Sequence, residues 1–168
     1  MPLLSCMNPL FKAFLDLCLF RAGPQGLPTS IWLRNATLVG YFLVSAALSM
    51  SIAPEFNSLL AALLDTFFLA LLVVGSLWLV SKRERINQTL TAIYGSGVLF
   101  NLAIAPLAII YLSMDKQAGP LLATGITALG LWNLAVLGNI LRHALNLPLI
   151  AGMTIAITYL ALSSLLVR

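Results

Sequence analysis

From residue 33 to residue 167 the chain is almost continuous apolar sequence, cut into five stretches by short polar links. The stretches cover about 33–53, 56–80, 90–113, 120–141 and 147–167. A helix that crosses a bilayer needs roughly 20 apolar residues, and each stretch reaches that length. Breakers sit between them: Pro54-Glu55, Ser81-Lys82-Arg83-Glu84-Arg85, Asp115-Lys116 and Arg142-His143. Only 8% of the 168 residues are charged, against about 25% in a soluble domain, so this chain cannot build a water-facing surface. In hydrocarbon every backbone group must find its partner within the protein, and runs of this length do so as helices. The fold class expected is all-α: a polytopic membrane protein with a bundle of five transmembrane helices.

Residues 1–30 differ in character from the membrane domain, 31–168. Asn8-Pro9 is a helix start, with Asn as N-cap and Pro in the first turn. The run LFKAFLDLCLFR follows, with Lys12 and Asp16 four apart on one face. It is too short to span, and it reads as an interfacial amphipathic helix lying on the membrane, with burial against the other helices as the alternative. AGPQGLPTS is a helix-breaking loop that ends in a Thr29/Ser30 cap. Lys12 and Asp16 interrupt the first apolar run, and MPLLSC has no basic region before its cysteine, so neither a signal peptide nor a lipoprotein site is expected. Cys6 and Cys18 lack metal-ligand spacing.

Orientation follows from Lys and Arg. Lys12, Arg21 and Arg34 precede the first span, Lys82, Arg83 and Arg85 join the second to the third, and Arg142 joins the fourth to the fifth. All fall on one side, leaving Lys116 and Arg168 for the other. The N-terminus is therefore expected in the cytoplasm and the C-terminus in the periplasm or a lumen. The net charge of +4 belongs to this topology rather than to nucleic-acid binding. The sequons at Asn35 and Asn87 fall on the cytoplasmic side and should stay unmodified.

Polar residues inside the spans are the candidates for function, since ionisable groups at membrane depth are costly. Asp65 is an acid close to the middle of the second span. Asn101 and Asn133 lie near the centres of the third and fourth, and Ser45, Thr158 and Tyr159 occupy the same level of the first and fifth. These define a candidate intramembrane polar cluster of Asp65, Asn101 and Asn133, either binding or relaying a cation or proton, or bonding the helices together. In GLWNLAVLGNILRHAL a second group, Asn139, Arg142 and His143, marks the cytoplasmic end of the fourth span. Lys82, Arg83 and Arg85 are candidate lipid-headgroup contacts. Pro106 should kink the third span and free a carbonyl that Asn101 could bond. Gly40, Gly75, Gly95, Gly97, Gly125, Gly130 and Gly138 offer places for close helix approach.

Phosphate loops, paired-histidine zinc motifs and nucleophile elbows are missing from the sequence, so no enzyme, cofactor or metal site is expected. LWNLAVLGNILRHALNLPLIAGMTIAITYLALS, with TAIYGSGVLFNLAIAPL before it, resembles the Yip (Ypt-interacting protein) family, in particular its small bacterial members. The resemblance implies a bacterial inner-membrane protein of adaptor or membrane-organising type. The eukaryotic members' long N-terminal region and Asp-Leu-Tyr-Gly-Pro type motif have no counterpart here. The first functional expectation is thus a non-enzymatic adaptor that binds membrane lipids and a protein partner or itself, through Phe11, Phe14 and Phe20, the RAGPQGLPTS loop and SKRERINQ. The alternative is a small carrier or channel subunit built on the Asp65 cluster.

Overall fold

The computed structural model describes residues 9–52, 56–113 and 119–166. Six helices follow one another: α1 (Pro9–Cys18), α2 (Ile31–Ile52), α3 (Phe56–Leu79), α4 (Ile86–Ser113), α5 (Gly119–Leu145) and α6 (Leu149–Leu166). Short 3₁₀ turns lie at Pro24–Gly26 and Arg83–Arg85. There is no strand among the described residues. Helices α2 to α5 are each long and apolar enough to cross a membrane. The stops at Pro54-Glu55 and Asp115-Lys116, the Asn8 cap and Arg168 lie outside the described residues.

Local chemistry explains the boundaries. Ser30 starts α2, its hydroxyl oxygen accepting from the Leu33 amide at 3.3 Å, as an N-cap does. Helix α4 begins at Ile86 rather than 90 because the Arg83–Arg85 turn feeds straight into it. It continues through Pro106 to Ser113. Helix α5 extends to Leu145, so Arg142 and His143 belong to its last turn. Three helix ends share one stop: Phe20, Ser81 and Asn146 take φ of 59°, 57° and 56°. The Arg21, Lys82 and Leu147 amides then reach back to the Asp16, Leu77 and Arg142 carbonyls, which satisfies carbonyls the helix leaves open.

Burial is concentrated in one half of the bundle. Every residue of α4 from Thr89 to Gly97 is buried, as are Val136 to Leu141, Ala144 and Leu145 of α5. Leu69, Val73 and Leu77 of α3 complete this core. It lies toward the end that carries Lys82, Arg83 and Arg85, the basic end. Toward the opposite end α4 and α5 expose Leu102, Ile109, Leu121 and Leu131, as helices facing lipid do. Most serines and threonines in the spans bond a carbonyl of their own helix, as Thr66 does with Ala62 and Thr158 with Thr154. That removes their polarity from the apolar surroundings.

Two glycine pairs set the close approaches. Gly95 and Gly97 of α4 admit the rings of Phe14 and Tyr41, where added Cβ atoms would collide. Gly138 of α5 and Gly152 of α6 form the crossing of those helices: a Cβ on Gly138 would lie 2.5 Å from Met153 Sδ. Gly152 has no place among the sequence-derived candidates. Around Gly75, Gly125 and Gly130 nothing approaches within 4 Å. Helix α1 rests on α4 and α5, with Leu17 and Cys18 buried. The Trp132 indole donates to the Cys18 carbonyl at 2.9 Å. Leu10, Phe11 and Lys12 stay exposed.

Candidate functional site

Asp65 is where three helices are tied together by side chains. Tyr41 of α2 donates its hydroxyl to Oδ2 at 2.8 Å. Tyr159 and Ser163 of α6 donate to Oδ1 at 2.5 and 2.7 Å. Spacing explains why these residues arrive together. Tyr41 and Ser45 are one turn apart on α2, and Tyr159 and Ser163 one turn apart on α6, so each pair shares a face. Gly97 leaves room for the Tyr41 ring, since a Cβ there would stand 2.6 Å from Tyr41 Cε2. The Phe68 ring stacks on Tyr159 with centroids 5.9 Å apart, which aims the phenol across at Asp65.

Beside the carboxylate lies a cavity of about 220 Å³ lined by Tyr41, Ser45, Leu48, Ser49, Ala61, Ala62, Asp65 and Asn101. The Asn101 amide donates to Ser45 Oγ at 2.8 Å. That bond, rather than a carbonyl freed by Pro106, is the use made of Asn101. The Tyr94 ring of α4 is fully buried and 5.3 Å from the Tyr41 ring. Its hydroxyl donates to the Thr66 carbonyl at 2.7 Å.

A carboxylate near the centre of a spanning helix costs about 2.5–3.5 kcal/mol on insertion scales. Interhelical hydrogen bonds in membranes contribute about 0.6–1.7 kcal/mol each, so three of them are of the size needed to hold it. Among the described residues no Lys, Arg or His bonds Asp65. Hydroxyls can donate or accept, so the same three partners suit the acid with or without its proton.

Of the predicted cluster, Asp65 and Asn101 share the cavity and Asn133 does not. It is half-buried on α5, and no residue of that helix lines the cavity. Ser45 and Tyr159 take part, whereas Thr158 is exposed. Sequence reasoning missed Tyr41 and Ser163; the signal was the four-residue spacing from Ser45 and Tyr159.

The second predicted group lies at the basic end. The His143 ring pairs with the Asn139 carbonyl through Nδ1 at 2.8 Å, and Asn139 is buried. Arg142 lies against Gly152. The basic connection is tied to the same place. Lys82 donates to the Leu145 carbonyl at 2.9 Å, and Arg85 to the His143 carbonyl at 3.3 Å and to Asn146 Oδ1 at 3.2 Å. Both cap the carboxyl end of α5, where cations are favoured. Arg83 stacks over the Trp78 ring, 4.7 Å from its centroid. Arg34 joins α2 to Asn87 at 2.8 Å.

No protein-family model matches the chain, and no curated protein or solved structure matches it.

Proposed function

We propose that the protein is a small cation- or proton-coupled carrier, with Asp65 as the group that takes up and releases the ion. The observation that carries this reading is an acid without a basic partner among the described residues, on the wall of a polar cavity inside an apolar bundle. Tyr41, Tyr159 and Ser163 hold the carboxyl group, while Ser45, Ser49 and Asn101 supply oxygen atoms to whatever enters the cavity. A bundle needing only a tie between helices would be served by uncharged side chains, without the cost of an acid at depth.

In this reading α6 is the fifth span. Its 18 residues reach about 27 Å at 1.5 Å per residue, close to the hydrocarbon thickness. The N-terminus is then cytoplasmic, the C-terminus periplasmic or lumenal, and the inner membrane of a bacterium the setting. Membership of the Yip family is a separate proposal, resting on the pattern of the last 80 or so residues.

The adaptor reading is the second proposal and keeps the exposed Phe11 and Phe20 as docking residues. Its other instruments are engaged internally: Phe14 against Gly95, Lys82 and Arg85 on the end of α5.

Reconstitution into liposomes with a pH gradient or a sodium gradient decides between them. Dissipation by the natural protein and its loss in Asp65→Asn, which keeps the shape and one acceptor oxygen but cannot carry the charge, supports the carrier. Equal permeability of both proteins and empty liposomes sinks it.

A further inference from the structure

The cavity is not placed symmetrically about Asp65. Helices α2 and α4 run from the basic end to the far end, and α3 runs back. On α2 the lining residues beyond Tyr41 are Ser45, Leu48 and Ser49, all nearer the far end. On α3 they are Ala61 and Ala62, which precede Asp65 and so again lie toward the far end. Asn101 lies beyond Tyr94 and Gly97 on α4 in the same sense. Ser49 stands three residues before the end of α2, about 4.5 Å at 1.5 Å per residue.

Toward the basic end the arrangement reverses. The Tyr94 ring on α4 is fully buried, its hydroxyl bonded to the Thr66 carbonyl and its ring packed on Tyr41. Below it Leu69, Val73, Leu77, Leu90, Val136 and Ile140 are all buried in one apolar core. From Asp65 to Leu77 the distance along α3 is about 18 Å, most of the way to the basic surface.

We infer that this cavity is a one-sided aqueous inlet to Asp65, open from the end that carries Ser49 and sealed by Tyr94 and the apolar core below. The inference rests on the reading of Asp65 as the ion-carrying group and adds the side from which the ion arrives. Polar side chains at membrane depth are tolerated where they face a water-filled cavity, and a volume of this size holds several waters, each occupying about 30 Å³ in the liquid. Ser45, Ser49, Asn101 and Tyr41 give those waters the polar partners an apolar cleft would lack. Tyr94 is a positioning residue, keeping the Tyr41 ring in place and water from the basic end.

Cysteine accessibility tests this directly. In a Cys6→Ser, Cys18→Ala background, single variants Ser49→Cys, Ser45→Cys and Asn101→Cys are made, with Val73→Cys as the seal and Glu84→Cys marking the basic face. Each is treated in right-side-out and inverted vesicles with a membrane-impermeant methanethiosulfonate reagent. The expected result is labelling of Ser49→Cys and Ser45→Cys from the face opposite to that which labels Glu84→Cys, with Val73→Cys unlabelled from both. Labelling of Ser45→Cys from the Glu84 face, or its protection from both faces while Ser49→Cys labels, overturns the inlet. The three positions report independently, so a misfolded variant, recognised by its elution in detergent, does not remove the test. Loss of flux in Asp65→Asn with no labelling would keep the carrier and discard the inlet. Labelling as expected with unaltered flux in Asp65→Asn would do the reverse.

Discussion

The phenol of Tyr159 lies 2.5 Å from Oδ1 of Asp65, joining residues 94 positions apart in the chain. This bond and that of Ser163 attach α6 to α3. Tyr159→Phe deletes one hydroxyl and leaves the ring stacked on Phe68. The expected loss is about 1–2 kcal/mol, between the membrane average for such bonds and the value for a bond to a charged group. Unfolding in mixed micelles with increasing SDS measures it. A loss indistinguishable from zero would mean that the tyrosine hydroxyl does not hold the acid.

The helical stretches were legible because an apolar run of this length has few other fates in hydrocarbon. Asp65 was legible because an acid inside such a run stands out. Depth along each span pointed to Ser45, Asn101 and Tyr159 as well as to Thr158 and Asn133. Depth does not say which way a side chain faces or which helices are neighbours. Asn133 has the right level and sits on α5, which the cavity does not touch. Tyr41 and Ser163 were hidden because tyrosine and serine are ordinary in spanning helices. Only the position of Asp65 between α2 and α6 gives them a purpose. The sequence assigns Lys82 and Arg85 to lipid headgroups, because the carboxyl end of α5 beside them is a tertiary fact.

Those caps give a second prediction. Lys82→Ala and Arg85→Ala each remove a cation from the end of α5, at a cost of about 0.5–1 kcal/mol apiece. Arg83→Ala loses a partly exposed cation–π contact and should cost no more than about 0.5–1 kcal/mol. Hydrogen exchange separates the cases. The last turn of α5, around Ala144 and Leu145, should exchange faster in the Lys82 and Arg85 variants and unchanged in the Arg83 variant. Faster exchange in all three would assign the effect to general charge.

Burial pushes the Cys18 thiol up to about 11. In an unfolded chain this thiol ionises at 9.0. The folded chain holds the proton more firmly, so this group's contribution to stability is complete below 9.0 and is lost as pH rises through about 11. Only the thiolate is nucleophilic. At pH 8 iodoacetamide should therefore alkylate Cys18 in folded protein about two orders of magnitude more slowly than in protein unfolded by SDS, read by mass spectrometry of the peptide. Equal rates in both would place Cys18 outside the buried contact with Trp132.

The α5–α6 crossing makes the sharpest steric prediction. A Cβ on Gly152 would meet the Gly138 carbonyl oxygen, and it would stand 2.9 Å from Arg142 Cβ and 3.1 Å from Arg142 N. Two of these neighbours are backbone, which cannot rotate aside as a side chain can, so Gly152→Ala has to push the helices apart. Overpacking of this kind costs about 1–3 kcal/mol or more. It would also shift Tyr159 and Ser163, which lie seven and eleven residues further along α6, away from Asp65. Gly125→Ala and Gly75→Ala meet nothing within 4 Å and exchange a flexible residue for the best helix former. They should be neutral or gain up to about 1 kcal/mol. SDS-unfolding midpoints of the three variants check the order. A Gly152→Ala protein as stable as Gly125→Ala would show that α6 does not pack at this distance, and the geometry around Asp65 that depends on it would fall as well.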